Sequence, residues 1–94
     1  RGLGDVYKRQ GWNKIFIKQD HDLFTNIETD TRFYFVHSYL LKDFDEEKSF
    51  STTHHGIEFV SSIGDENIFA TQFHPEKSGE AGLQFFDNFL KWNP

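Results

Sequence analysis

The sequence predicts a small domain of the α/β class, built mostly from short strands and closed by one carboxyl-terminal helix. Short runs of aromatic and β-branched residues, bounded by Gly, Asp and Asn, recur as far as residue 73 and are typical of strands. From Gly79 the hydrophobic period changes from two to about 3.6 residues, which predicts a helix. Strands followed by a closing helix indicate an α/β or α+β architecture.

The composition limits the classes of protein to be considered. The 94 residues allow one small domain at most. The formal net charge is −5 and the basic residues are scattered, which argues against a nucleic-acid-binding protein. The lack of cysteine excludes a disulfide framework and a cysteine-based zinc site, and it fits a cytoplasmic protein. Since no run of about 18 apolar residues occurs, we expect no membrane span.

The chain divides at Gly11 into a leader and a domain of residues 11–94. Residues 1–10 have no hydrophobic periodicity, and we interpret them as a non-native or junction leader that is disordered. Residues 12–17 are β-prone, and residues 20–27 indicate a polar loop or a short helical turn. The compact aromatic run at residues 32–36 predicts a buried strand that ends before His37.

A hairpin and one more strand are expected in the second half of the chain. Residues 50–54 and 57–63 are predicted to pair through a turn at His55-Gly56, because glycine tolerates a positive φ. Residues 64–67 are a turn, and residues 67–73 are the last strand. In the closing helix, the helical period places Leu83, Phe86 and Leu90 on one face, and this face is expected to pack on the sheet. Phe85, Phe89 and Trp92 lie beside these three residues.

His74 and Glu76 are the strongest candidates for chemistry. They lie in the heptapeptide Gln72-Phe73-His74-Pro75-Glu76-Lys77-Ser78, where Pro75 prevents further ladder pairing of the preceding strand. A histidine here can act as a general base, and a carboxylate two residues on can orient its imidazole. Spacing alone leaves open a histidine that only caps a strand and a glutamate in solvent. A nucleophile must come from elsewhere, since the chain has no cysteine.

Two other groups of polar residues are weaker candidates. His37 and Ser38 are adjacent, and adjacent side chains on a strand point to opposite faces, so a role in positioning substrate is easier to defend than direct activation. His54 and His55 diverge for the same reason, and no carboxylate cluster stands at ligand spacing. We therefore expect no metal site.

Three blocks of the sequence together resemble a known family. The heptapeptide, with Gly82-Leu83 and Asn88-Phe89-Leu90 after it, resembles the carboxyl-terminal signature of class I glutamine amidotransferases, which use a catalytic triad. Residues 33–39 and the block Gly11-Trp12-Asn13 narrow the resemblance to the glutaminase subunits of imidazole glycerol phosphate synthases. The resemblance implies that residues 11–94 are the carboxyl-terminal part of a flavodoxin-like three-layer α/β/α domain.

The resemblance also implies roles for the two triad candidates and for the substrate pocket. His74 would take the proton of a cysteine thiol and later protonate the leaving ammonia, while Glu76 would hold the required tautomer. His37, Ser38 and Tyr39 match the segment that lines the glutamine pocket in the family.

A partner protein is implied in the same way. Trp12, Asn13 and Lys77 match positions near a cyclase subunit with a (β/α)8 barrel, to which the ammonia is delivered. No cofactor is implied.

Departures from the family pattern leave alternatives open. The amino-terminal half of the family, with its oxyanion loop and nucleophilic cysteine, is absent from these 94 residues, so we expect no glutaminase activity from this chain alone. His55 stands where the family usually has an aromatic residue. One alternative is a paralogous amidotransferase subunit that supplies ammonia to surface-sugar synthesis. Another is a non-catalytic, aromatic-rich interaction module.

Overall fold

In the computed structural model, antiparallel strands form two sheets and a terminal helix packs against them. The structure describes the backbone of residues 3–41 and 45–94, and the side chains of residues 11–36, 39 and 45–94. Within these ranges the elements, in chain order, are β1 (Leu3–Lys14), β2 (Phe16–Ile17), β3 (Arg32–Leu41), β4 (Ser49–His55), β5 (Ile57–Asp65), β6 (Ile68–Thr71) and α1 (Gly79–Lys91). The predicted series of strands with a closing helix is confirmed.

The two sheets meet just before His74. β1 pairs with β3, and a four-stranded sheet has the order β2-β4-β5-β6, with every ladder antiparallel. The predicted hairpin is confirmed, because β4 and β5 join at Gly56, whose φ of 83° is accessible to glycine without strain. An isolated bridge between Phe35 and Phe73 links β3 to the segment that leaves the four-stranded sheet.

Aromatic rings form the core between the sheets and the helix. Phe33 and Phe35 of β3 are fully buried, and the ring of Phe73 lies 4.3 Å from that of Phe33. Phe85 of α1 meets Phe73 nearly edge-on at 5.6 Å, an arrangement that aromatic quadrupoles favour. These contacts hold the segment before His74 against β3. The other buried apolar side chains are Ile15, Leu23, Phe24, Ile27 and Phe59.

The first sheet is longer than the sequence predicts. β3 continues to Leu41 and does not end before His37, because β1 pairs along its whole length and supplies hydrogen-bond partners beyond the aromatic run. β1 begins at Leu3, although no packed element was predicted for residues 1–10. The interpretation of residues 1–10 as a non-native leader stays a prediction.

The helix begins where it was predicted but packs through a different face. Leu83, Phe86 and Leu90, which were expected to pack, are exposed, so the prediction was wrong for them. Phe85, which was placed beside that face, is buried. The side chain of Asn88 is buried instead and donates hydrogen bonds to two carbonyl oxygens near the short 3-10 turn Asp22–Phe24. Hydropathy assigned the helix face incorrectly because it does not count a polar residue whose bonds are satisfied inside the protein. The buried face consists of Gly82, Phe85 and Asn88.

Within the described part of the chain, the longest helix has 13 residues. It falls short of the length and apolar character that crossing a bilayer requires.

Candidate active site

His74 lies just beyond the edge of the four-stranded sheet. β6 ends at Thr71, slightly earlier than predicted, and two residues lead to His74, whose backbone N–H donates to the carbonyl of Tyr34 on β3 at 2.8 Å. Pro75 then begins a 3-10 turn over Pro75–Lys77, since its fixed φ suits the first position of a helical turn. The predicted placement of His74 after a strand end is confirmed.

The structure brings the side chains of His74 and Glu76 together. Nδ1 of His74 lies 2.9 Å from Oε2 of Glu76. The hydrogen bond from His74, with a smaller contribution from the backbone, holds the pKa of Glu76 below its ordinary value. An ionised carboxylate only accepts, so Nδ1 carries a proton, and in the neutral imidazole Nε2 then presents the lone pair. This is the tautomer that a general base requires.

Both side chains of this pair are exposed to solvent. His74 is 40% exposed and Glu76 is 56% exposed. The pair therefore lies on an exposed surface, and within the part of the chain that the structure describes Nε2 makes no hydrogen bond. Solvent screening at such exposure means that the pair contributes more to orientation than to stability.

Ser78 supports the backbone that carries His74, and sequence reasoning gave it no role. Its hydroxyl donates to the carbonyl of His74 at 2.6 Å and accepts from the backbone N–H of Tyr34 at 2.9 Å. Ser78 is 1% exposed, so these bonds are shielded from water. Its position four residues after His74, at the start of a helix, is the sequence signal that could have indicated this role.

The predicted glutamine-binding residues lie inside β3. The side chains of His37 and Ser38 are outside the described residues, so their role stays a prediction. Tyr39 is described, and the residue is 38% exposed. Its backbone is hydrogen-bonded to the side chain of Gln72, which ties this part of β3 to the residues that precede His74.

The predicted partner-binding residues divide between two places. Trp12 is 49% exposed and packs edge-on against Tyr34, with its ring also facing Gly79 at the start of α1. Trp12 therefore faces the chain two residues after the exposed Lys77. Asn13 has a different neighbour.

Asn13 contacts the tip of the β4–β5 hairpin. Its Oδ1 accepts a hydrogen bond from Nδ1 of His55 at 2.9 Å, so one of the two adjacent histidines has a protein partner. Among the described residues, no group of three or more His, Asp or Glu is placed to hold a metal ion.

Comparison with known proteins identifies one family over almost the whole chain. The model of the family "Glutamine amidotransferase class-I" matches residues 4–92. The imidazole glycerol phosphate synthase subunit HisH of Hydrogenovibrio crunogenus is 53% identical over 83 residues, which cover 88% of this chain and 39% of that protein.

Two further relatives carry the same name. HisH of Nitrosomonas europaea is 46% identical over 84 residues, covering 89% of this chain and 40% of that protein. HisH of Methanocaldococcus jannaschii is 48% identical over 89 residues, covering 93% of this chain and 45% of that protein. The chain thus spans less than half the length of each of these relatives.

Proposed function

The chain belongs to the class I glutamine amidotransferase family, and from this premise we propose that it is part of the glutaminase subunit of an imidazole glycerol phosphate synthase. The similarity to three proteins named as HisH subunits supports the choice of synthase. The flavodoxin-like α/β fold of the family agrees with the strands and closing helix of this segment. The hydrogen bond between His74 and Glu76 is the observation that carries the catalytic part of the proposal.

The proposed reaction hydrolyses glutamine to glutamate and ammonia through a cysteine contributed by the remainder of the domain. Nε2 of His74 takes the thiol proton, and the thiolate attacks the side-chain amide carbon of glutamine. The tetrahedral intermediate collapses to a thioester as the imidazolium gives its proton to the departing ammonia. Water, deprotonated by His74, then releases glutamate and restores the thiol. Glu76 keeps the proton on Nδ1 and stabilises the imidazolium formed in each half-reaction.

The substrate is proposed to bind beside β3. In this proposal His37, Ser38 and Tyr39 line the glutamine pocket. The hydrogen bond from the His74 N–H to the carbonyl of Tyr34 supports it, because it ties His74 to the same strand. If one strand holds both the substrate and the base, the distance and orientation between them stay constant, as general base catalysis requires.

The proposed partner is a cyclase subunit with a (β/α)8 barrel, in a cytoplasmic heterodimer of histidine biosynthesis. Ammonia must pass between the subunits without meeting bulk water, because protonation removes its nucleophilic lone pair. Trp12, Asn13 and Lys77 contribute to the contact that encloses it. The exposed indole of Trp12, which faces Gly79 at the start of α1, supports this assignment, since exposed aromatic residues are typical of interface anchors.

A substitution of the base tests the proposal in the full-length subunit with its partner. We expect His74→Ala to reduce glutamine hydrolysis by about 10²–10⁴-fold, the usual contribution of general acid–base catalysis. Synthesis driven by added ammonium salt should continue, because it bypasses the glutaminase. His54→Ala is the matched control, since His54 is an exposed histidine of the β4–β5 hairpin. Glutamine hydrolysis by His74→Ala near the parent rate would refute the assignment.

A further inference from the structure

Gln72 connects the two sheets at the point where they separate. Its backbone N–H donates to the carbonyl of Ser61 on β5 at 2.9 Å. Its side chain reaches across to β3, where Oε1 accepts from the N–H of Tyr39 at 2.6 Å and Nε2 donates to the carbonyl of Tyr39 at 2.9 Å. Nε2 also donates to the carbonyl of Val60 on β5 at 2.7 Å. Both N–H groups and the oxygen of the amide are therefore used.

The side chain of Gln72 takes the place of a strand partner for Tyr39. In an antiparallel ladder, one residue exchanges both N–H···O=C bonds with the residue opposite, and the carboxamide makes the same two bonds. Phe73 forms a bridge with Phe35 on β3, but the backbone of Gln72, one residue earlier, is hydrogen-bonded to β5 instead. The side chain of Gln72 thus extends the connection to Tyr39 where the backbone no longer does.

We propose that Gln72 is a positioning residue that sets Tyr39, in the glutamine-binding segment, at a defined place relative to His74. This rests on the proposed function, because Tyr39 is a candidate for glutamine binding only within that proposal. Gln72 precedes the base by two residues, so one short segment fixes both the base and the substrate strand. The backbone of His74 has its own bond to Tyr34. Loss of the amide would therefore disturb glutamine binding more than the base.

The arrangement requires glutamine at this position. Glutamate has nearly the same shape, but its carboxylate would set an acceptor oxygen against the carbonyls of Tyr39 and Val60, where two N–H donors now lie. Asparagine is one methylene shorter. A leucine would leave the N–H and carbonyl of Tyr39 without these partners.

The test uses the full-length subunit with its partner and compares Gln72→Glu with Gln19→Glu. Gln19 is the matched control, because its Nε2 also donates to two backbone carbonyls, those of Glu47 and Ser49, on another part of the molecule. We expect Gln72→Glu to raise the KM for glutamine about tenfold, equivalent to about 1.4 kcal/mol of binding. The value of kcat should change much less, and ammonia-driven synthesis should be unchanged. Gln19→Glu should leave the KM at the parent value.

Each outcome decides the proposal. An unchanged KM in Gln72→Glu, or a shift equal to that of Gln19→Glu, overturns it, even if the melting temperature falls. If the variant does not fold, the hydrogen-exchange rate of the Tyr39 amide is measured in the parent protein. We expect slow exchange, because this amide is hydrogen-bonded to Gln72; exchange at the rate of an unpaired amide overturns the proposal. A parent enzyme that does not hydrolyse glutamine would refute the proposed function itself, which is a distinguishable result.

Discussion

Gly82 offers the sharpest test of how the helix positions His74, the proposed base. A Cβ at residue 82 would lie 1.8 Å from the carbonyl oxygen of Pro75 and 2.9 Å from its carbonyl carbon. The obstructing atoms belong to backbone, so no side-chain rotation relieves the contact. For Gly82→Ala, the separation must grow from 1.8 Å to at least 3.0 Å, a displacement of about 1.2 Å between α1 and the residue that follows His74.

The sign of the stability change distinguishes this site from an ordinary helical glycine. Replacing glycine by alanine at an unobstructed helical position stabilises a protein by about 0.4–1 kcal/mol. Here we expect Gly82→Ala to lower the free energy of unfolding by about 1–3 kcal/mol, the usual cost of overpacking. A shift of His74 by about 1 Å should also reduce kcat for glutamine hydrolysis by about 10²-fold.

The assay measures three quantities on the full-length subunit with its partner: kcat with glutamine, synthesis driven by ammonium salt, and the melting temperature. Only the ammonium-driven rate should remain at the parent value. Leu83→Ala is the matched control, because it puts alanine on the same helical turn at a residue that is 70% exposed. A Gly82→Ala protein with the parent kcat and a raised melting temperature would refute the reasoning, since α1 would then not be in close contact with the carbonyl of Pro75.

Two further predictions concern titrating groups. Glu76→Gln should lower kcat less than His74→Ala does, because Glu76 orients the imidazole without transferring the proton; an unchanged pH–rate profile and kcat would remove Glu76 from the site. The folded pKa of Glu76 lies below the ordinary 4.5, so its contribution to stability is present above pH 4.5 and is lost as the pH falls through the folded value. For His21, burial lowers the pKa below 6.5 although Asp22 opposes this, and Nδ1 accepts a hydrogen bond from the N–H of Leu23. The unfolded chain therefore takes up the proton first, and stability should fall as the pH drops below 6.5 towards the folded value. Urea unfolding at several pH values measures this fall in the free energy of unfolding. The fall below pH 6.5 should be smaller in His21→Asn, which keeps a capping acceptor, than in the control His54→Asn, and equal falls would contradict the assignment.

Local signals in the sequence were sufficient to predict the order of the elements and the place of His74. Gly56 marked the hairpin because few other residues accept its φ. Pro75 marked the end of pairing before His74, since it has no N–H to donate. The two-residue spacing of His74 and Glu76 predicted a pair that the structure shows at 2.9 Å. Each of these features depends on residues that are close along the chain.

Features that depend on residues far apart along the chain could not be predicted in this way. The extension of β3 to Leu41 depends on pairing with β1. The helix buries Asn88 because its amide finds carbonyl partners some 63 to 65 residues away. The roles of Ser78 and Gln72 likewise arise from bonds to β3 that span 44 and 33 residues. The sequence shows which side chains can donate or accept hydrogen bonds, but only the folded structure shows which groups they bind.

The sequence by itself determined that His74 follows a strand end, that Glu76 can reach it and that the chain resembles class I amidotransferases. These conclusions follow from backbone chemistry and short spacing, which hold wherever the segment lies. The tertiary structure alone decided which strand holds the backbone of His74, which helix face is buried and that the Gln72 amide joins Tyr39 to the segment before His74. Such contacts depend on how separate elements pack, because a buried polar group must find its partner in three dimensions.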